Sequence, residues 1–397
     1  MNKGMAEATR LTRAGRLAEA TALIQSTLWS SLGAPPTPDA PAGEGYLAHT
    51  ASPASRPIAL PGVTTGERGA QRAETTAAAR ARVGTPDPAS VAPPAGRFVS
   101  GSYTNRDGTR AYKLYIPTGS TGQPLPLLVM LHGCTQNAED LATGTRMNAL
   151  AESGVFLVVY PEQAASANAS RCWNWFETGD QRRDRGEPSI IAGITRQIAA
   201  TQPIDTRRIY VAGMSAGGAM AAVMGATYPD LYAAVGVHSG VAYGAAHDLP
   251  SAFRAMKQGA SHAARAKTRT AEDIGAGEPG RAVPTIVFHG DRDGTVHRRN
   301  GEQVLHQSSG VGTTGRDAGG DDPRVTVRRG QAPGGRAYTR SVYHDATGRP
   351  VAEQWLVHGA GHAWSGGSVR GSYTDAHGPD ASAEMVRFFL DHPYRTV

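Results

Sequence analysis

A chain of 397 residues in which 40% are hydrophobic and 19% charged has the composition of a globular protein, at a length that admits two or three domains. The formal charge of +6 and the pI near 9.4 are mildly basic, but arginines and acids are interspersed without a long basic run, which argues against a nucleic-acid partner. No apolar stretch approaches the length of a membrane span.

Residues 1–29 carry Met5, Ala8, Leu11, Leu17, Ala20, Ile24 and Leu28 at helical spacing, with Arg10, Arg13 and Arg16 on the polar side and a break at Ala14-Gly15. Two short amphipathic helices are expected. Amphipathicity is the default for short helices, so the plain reading is a small hairpin packed on the core; the other is a tether to a granule, a surface or a partner. Met1 to Ala20 has no continuous apolar region of the kind a signal peptide needs. In residues 30–95 lie 11 of the 26 prolines, a density that breaks regular elements and predicts a disordered linker. The folded domain is expected over 96–397.

Within that domain, apolar runs alternate with helical patterns. Leu125–Leu131 reads as an inner strand that empties into His132-Gly133-Cys134-Thr135-Gln136. Gly154–Tyr160 reads as a strand, Ser189–Ala200 as a helix, and Arg208–Ala212 as a strand running into Gly213-Met214-Ser215-Ala216-Gly217 and a helix start. Leu231–Ser239 and Val283–Phe288 follow as strands, the second ending in His289-Gly290-Asp291-Arg292-Asp293. Residues 308–335, dense in Gly, Asp and Arg, read as a surface insertion, and Glu353–Val357 as the last strand before the glycine-rich loop His358–Gly367. Alternating β and α elements with short links predict an α/β fold: a doubly wound, mostly parallel sheet covered on both faces.

The chemistry is carried by the loops. A serine pinched between glycines at a strand-to-helix turn is pushed out of the sheet, with helix N–H groups behind it. A hydroxyl is a poor nucleophile near neutral pH and needs a base, which in turn needs an acid to fix its tautomer. The chain order Ser, acid, His then selects Ser215, Asp293 and His362. Asp293 is preferred to Asp291 because it lies far enough past its strand to curl over the sheet. His362 is preferred to His358, which is nearer its strand and reads as a loop support. Oxyanion-hole amides are expected from Ala216 and from Cys134, with Thr135 the close alternative to Cys134.

The motifs Leu131–Gln136, Arg171-Cys172-Trp173-Asn174-Trp175-Phe176, Gly213–Gly218 and Gly359-Ala360-Gly361-His362-Ala363-Trp364 resemble those of poly(3-hydroxybutyrate) depolymerase-like esterases with the type 1 catalytic domain, relatives of feruloyl and acetylxylan esterases. The resemblance covers roughly Arg97 to the C-terminus. It implies an α/β-hydrolase fold, Ser215, Asp293 and His362 as the triad, and cleavage of short-chain polyhydroxyalkanoates or their oligomers. The alternatives are a feruloyl or acetylxylan-type esterase and a non-catalytic granule-binding protein.

The two cysteines, Cys134 and Cys172, suggest one disulfide and an oxidising compartment, extracellular or periplasmic, and the resemblance points the same way; two free thiols in a cytoplasmic protein are the other reading. Trp364, Trp173 and Trp175 are candidates for lining the substrate cleft. No cofactor or metal is called for by the residue pattern, and nothing in it sets the oligomeric state.

Overall fold

The computed structural model describes residues 96–259, 282–309 and 324–394. The expected N-terminal helices and the linker over 1–95 lie outside the described residues.

The described chain builds one ten-stranded sheet. Its strands are β1 (Arg97–Asn105), β2 (Gly108–Ile116), β3 (Leu125–Leu131), β4 (Leu157–Pro161), β5 (Ile204–Met214), β6 (Ala234–His238), β7 (Thr285–Gly290), β8 (Val325–Gln331), β9 (Ala337–His344) and β10 (Pro350–Val357). Their spatial order is β1-β2-β4-β3-β5-β6-β7-β10-β9-β8. The central run from β4 to β10 is parallel throughout, while β1, β2, β9 and β8 extend the two edges antiparallel. A small second sheet pairs β11 (Trp364–Ser365) with β12 (Thr374–Asp375).

Parallel strands covered on both faces must be apolar on both, which is why β3, with the sequence Leu-Pro-Leu-Leu-Val-Met-Leu, is buried at every residue. Its side chains still alternate. Leu127, Val129 and Leu131 face one hydrophobic cluster, and Leu128 and Met130 face the other. The first cluster is covered by α3 (Gly186–Thr201), α4 (Ala216–Thr227), α5 (Leu249–Gln258) and α6 (Arg299–Ser309). The second is covered by α1 (Ala138–Thr145), α2 (Met147–Gly154) and α7 (Ala381–Asp391), with Phe388 and Phe389 from the last of these wholly buried.

Two boundaries differ from the sequence reading. The strand expected from Gly154 starts at Leu157, because Val155 takes a left-handed φ of 51° as the C-cap of α2. The 308–335 segment is not all surface insertion. Val325–Gln331 pairs with β9 and lengthens the sheet, its polar composition reflecting an edge strand exposed on most residues.

Candidate active site

The turn after β5 sets the geometry. Ser215 is forced to φ 56° and ψ −119°, between the last residue of β5 and the first of α4. Such a backbone is strained for a non-glycine residue and persists only where its surroundings enforce it. Here the Ser215 amide donates to the His238 carbonyl at 2.9 Å, and α4 passes so close to β3 that a Cβ on Gly217 would collide with the Leu131 carbonyl.

His362 comes from the loop after β10. Its Nε2 lies 2.9 Å from Ser215 Oγ and its Nδ1 lies 2.8 Å from Asp293 Oδ2. Asp293 stands in the turn after β7, where its Oδ1 accepts the amides of Thr295 and Val296, each at 2.9 Å. Burial alone would push this carboxyl up. The His362 charge and hydrogen bond, His289 and the Val296 amide outweigh it and hold the pKa down at about 2. An ionised Asp293 fixes the His362 proton on Nδ1 and leaves Nε2 to accept from the serine.

Two buried histidines support this chain from below. His289 Nε2 donates to the Val296 carbonyl at 2.7 Å and lies 3.6 Å from Asp293 Oδ2, so it braces the turn that carries the acid. His238 accepts the Ser365 amide on Nε2 at 2.9 Å and stacks on Trp364, with centroids 4.9 Å apart. Burial, together with His289 and His362 nearby, pushes the pKa of His238 down to about 3, so the ring is neutral.

On the other side of Ser215, the loop after β3 offers its amides. Gly133 N–H is taken by Gln136 Oε1 at 2.9 Å and Thr135 N–H by the Ser170 carbonyl at 2.8 Å. The amides of Cys134 and Ala216 have no acceptor among the described residues. Of the two amides weighed for the loop, that of Thr135 is thus already engaged and that of Cys134 is not.

Cys134 and Cys172 form a disulfide, which links this loop to the Arg171–Phe176 segment. Glu187 supports the segment from beneath, accepting the Asn174 amide at 2.7 Å and the Arg110 guanidinium at 3.2 Å. Burial, with Asp180 adjacent, pushes the Glu187 carboxyl up to about 7.

Ser215 and His362 open into a cavity of about 270 Å³. Its walls are mostly apolar: Trp175 and Phe176 from the disulfide-linked segment, and Leu249, Phe253 and Met256 from α5. The three sequence-nominated tryptophans divide here. Trp175 lines the cavity, whereas Trp173 and Trp364 do not and are corrected to core residues. Trp173 is fully buried against His132, and Trp364 turns inward on β11 to stack on His238 and donate from Nε1 to Ser382 Oγ at 3.0 Å.

The α5 wall went unread in the sequence, although Asp248 and Ser251 form a capping box with Pro250 in the first turn, a start signal visible without coordinates. Tyr373, another lining residue, carries no such signal. Among the described residues no group of three or more His, Cys, Asp or Glu side chains is placed to hold a metal ion.

A large, mostly parallel sheet flanked by helices, with a strained serine after β5 and the acid and histidine on loops after later strands, defines an α/β-hydrolase. The chain belongs to the esterase PHB depolymerase family, which matches residues 110–323. It is 34% identical over 268 residues to poly(3-hydroxyalkanoate) depolymerase C of Paucimonas lemoignei, a match covering 66% of this chain and 60% of that one. It is 31% identical over 214 residues to feruloyl esterase B of Neurospora crassa, covering 52% and 72%, and 28% identical over 219 residues to acetylxylan esterase A of Talaromyces purpureogenus, covering 54% and 56%. The chain thus spans less than two thirds of the length of the depolymerase. In fold it is similar to an acetyl xylan esterase from Aspergillus awamori, with a TM-score of 0.57 at 19% identity, covering 74% of this chain and 99% of that one.

Proposed function

We propose that this protein is a serine esterase that cleaves ester bonds of short-chain polyhydroxyalkanoates or their oligomers. The observation that carries the reading is the unbroken hydrogen-bonded chain from Ser215 through His362 to Asp293 at the wall of an uncharged, aromatic-lined cavity. Similarity to a polyhydroxyalkanoate depolymerase over two thirds of the chain supports the substrate class.

In this mechanism His362 Nε2 takes the proton of Ser215 as Oγ attacks the ester carbonyl. The amides of Cys134 and Ala216 hold the resulting oxyanion. Collapse of the tetrahedral intermediate breaks the C–O bond, and His362 returns the proton to the departing alcohol. A water then repeats the attack on the acyl-enzyme, giving its proton to His362, and the acid leaves as Ser215 regains its hydrogen. Asp293 stays ionised throughout and stabilises the imidazolium.

The disulfide supports work in an oxidising compartment, extracellular or periplasmic. A second reading, a feruloyl or acetylxylan esterase, draws on the same aromatic wall, since a planar ring suits Trp175 and Phe176 as well as an aliphatic polyester does. The experiment that separates them compares release of 3-hydroxybutyrate from amorphous polymer with release of ferulate from its methyl ester. Faster turnover of the polymer is expected, and turnover of ferulate alone would overturn the substrate assignment.

A further inference from the structure

Two residues at the cavity wall hold a backbone conformation that their side chains disfavour. Thr135 has φ 67° and Tyr373 has φ 52°, and a positive φ in a β-branched or bulky residue is an outlier that persists where the surroundings over-determine it. They are 238 positions apart in sequence, yet their hydroxyl oxygens meet at 3.1 Å.

The surroundings that fix them can be named. The Asp140 carboxylate accepts the Ser372 amide at 2.8 Å, the Ser372 hydroxyl, and Gln136 Nε2 at 2.8 Å. The Tyr373 carbonyl accepts the Trp364 amide at 2.7 Å, and Thr374 Oγ1 donates to the Ser368 carbonyl at 2.8 Å. Thr135 is anchored by its own amide to Ser170. With both neighbours of Tyr373 tied down, its phenol is held at a set position on the wall.

The rest of the lining makes that position informative. No Lys, Arg, Asp or Glu side chain lines the cavity. Its two carboxamides are committed elsewhere: Gln136 holds Gly133 and Asp140, and Asn168 holds Ser170, Cys172 and Asn174. Polar contact with a substrate away from the reacting carbonyl therefore falls to hydroxyls, those of Thr135, Tyr373 and Thr295. Thr135 directly follows Cys134, so the Thr135–Tyr373 pair stands beside the loop assigned to the oxyanion.

We propose that Tyr373, held by Thr135, is a specificity-determining residue that hydrogen-bonds a second oxygen of the substrate, one repeat away from the ester being cleaved. The proposal rests on the esterase reading above and deepens it. An oligoester of a hydroxyacid presents such an oxygen in every repeat, and a simple alkyl ester presents none. A phenol suits that partner, because a hydroxyl can donate to a carbonyl and can accept from a terminal hydroxyl.

The test compares wild type and Tyr373→Phe on two substrates, the methyl ester of the 3-hydroxybutyrate dimer and p-nitrophenyl butyrate, with kcat and KM measured separately. The variant is expected to lose about threefold to tenfold more kcat/KM on the dimer than on the butyrate, the worth of one neutral hydrogen bond, seen chiefly in KM. Thr135→Val, which keeps the β-branch and removes the hydroxyl, is expected to shift the same ratio in the same direction. A structural defect would depress both substrates together and lower the melting temperature. An equal loss on both substrates, or no loss on either, would overturn the proposal while leaving the esterase reading intact. Wild type that cleaves the butyrate but not the dimer would overturn the substrate reading and this proposal with it.

Discussion

The loops after β7 and β10 build two histidine–aspartate pairs, and the contrast between them bears on the catalytic role proposed for one of them. His362 meets Asp293 at 2.8 Å and His358 meets Asp291 at 3.0 Å, so the two contacts are nearly alike. Both carboxyls are held below the usual range, burial opposing the shift and the histidine with backbone amides producing it. The far sides differ. His362 presents Nε2 to Ser215, whereas His358 presents Nε2 to Thr339 Oγ1 at 2.9 Å, and Asp291 also accepts the Gly359 amide at 2.7 Å. One pair is aimed at the proposed nucleophile and the other staples the loop. The Asp293 side chain is wholly buried, while Asp291 and His358 are 28% and 39% exposed, so the first pair is the better shielded from water.

Removing Ser215 or His362 from the proposed catalytic chain is the strongest way to break this comparison. Ser215→Ala or His362→Ala should lower kcat on a soluble ester by several orders of magnitude, on the order of 10⁶ in well-studied triads, with an unchanged melting profile. His358→Ala should cost less than about tenfold on the same assay, because its partners are structural. Equal losses at the two histidines would erase the distinction.

The two acids sharpen it. Asp293→Asn should reduce kcat by about 10⁴ by disfavouring the working tautomer of His362. Asp291→Asn should leave kcat within about tenfold and act on melting temperature, since it weakens the hold on His358 and Gly359. The reverse pattern in parallel kinetics and calorimetry would reassign the acid.

A smaller effect is expected from the disulfide, which neither pair touches. Closing a loop across 38 positions contributes roughly 4 kcal/mol of stability in the chain-entropy model. Reduction should lower the melting temperature and also the rate, because Cys134 then presents its amide from a looser loop. Thiol titration of denatured, unreduced protein should find no free thiol.

The pH dependence of stability is the gentlest probe. The Asp293 pKa is about 2 in the folded chain, below its unfolded value of about 3.9, so its contribution is present above pH ~4 and is lost as the pH falls through 2. His132 and His238 are also depressed, to about 4 and about 3, chiefly by burial. Their unfolded counterparts protonate near pH 6.5, so these two groups lower stability as pH drops from about 6.5 toward 3, and outweigh Glu187, which with its carboxyl raised to about 7 works in the opposite sense above about pH 4.5. Urea unfolding at a series of pH values should show that slope, and Asp293→Asn should flatten the limb below pH 4 more than Asp291→Asn does. A flat profile between pH 7 and 4 would count against neutral, buried imidazoles at both sites.

Much of this fold is legible wherever the chain's local pattern and its burial agree. β3 and β7 are buried on both faces and read as continuous apolar runs. The Gly213–Gly217 turn announces itself because its close approach to β3 tolerates no side chain at Gly217. Chain order, with the distance of each candidate past its strand end, then nominates one serine, one acid and one histidine, and the fold brings those three within hydrogen-bonding distance. What stays hidden depends on direction. Trp364 is two residues from His362 but lies on β11, where the pleat turns it into the core. The outer antiparallel strands β1, β2, β8 and β9 alternate polar and apolar residues too weakly to stand out, and the part of the cavity wall supplied by α5 lies outside every glycine-rich motif.

His238 does not line the cavity, yet it is attached to both halves of the proposed catalytic chain. Its carbonyl holds the Ser215 amide, and its ring holds the Ser365 amide three residues beyond His362. The spacing between nucleophile and base is therefore gauged by a single residue at the end of β6. A displacement of β6 therefore acts through these two contacts on the Ser215 turn and on the loop of His362 at once.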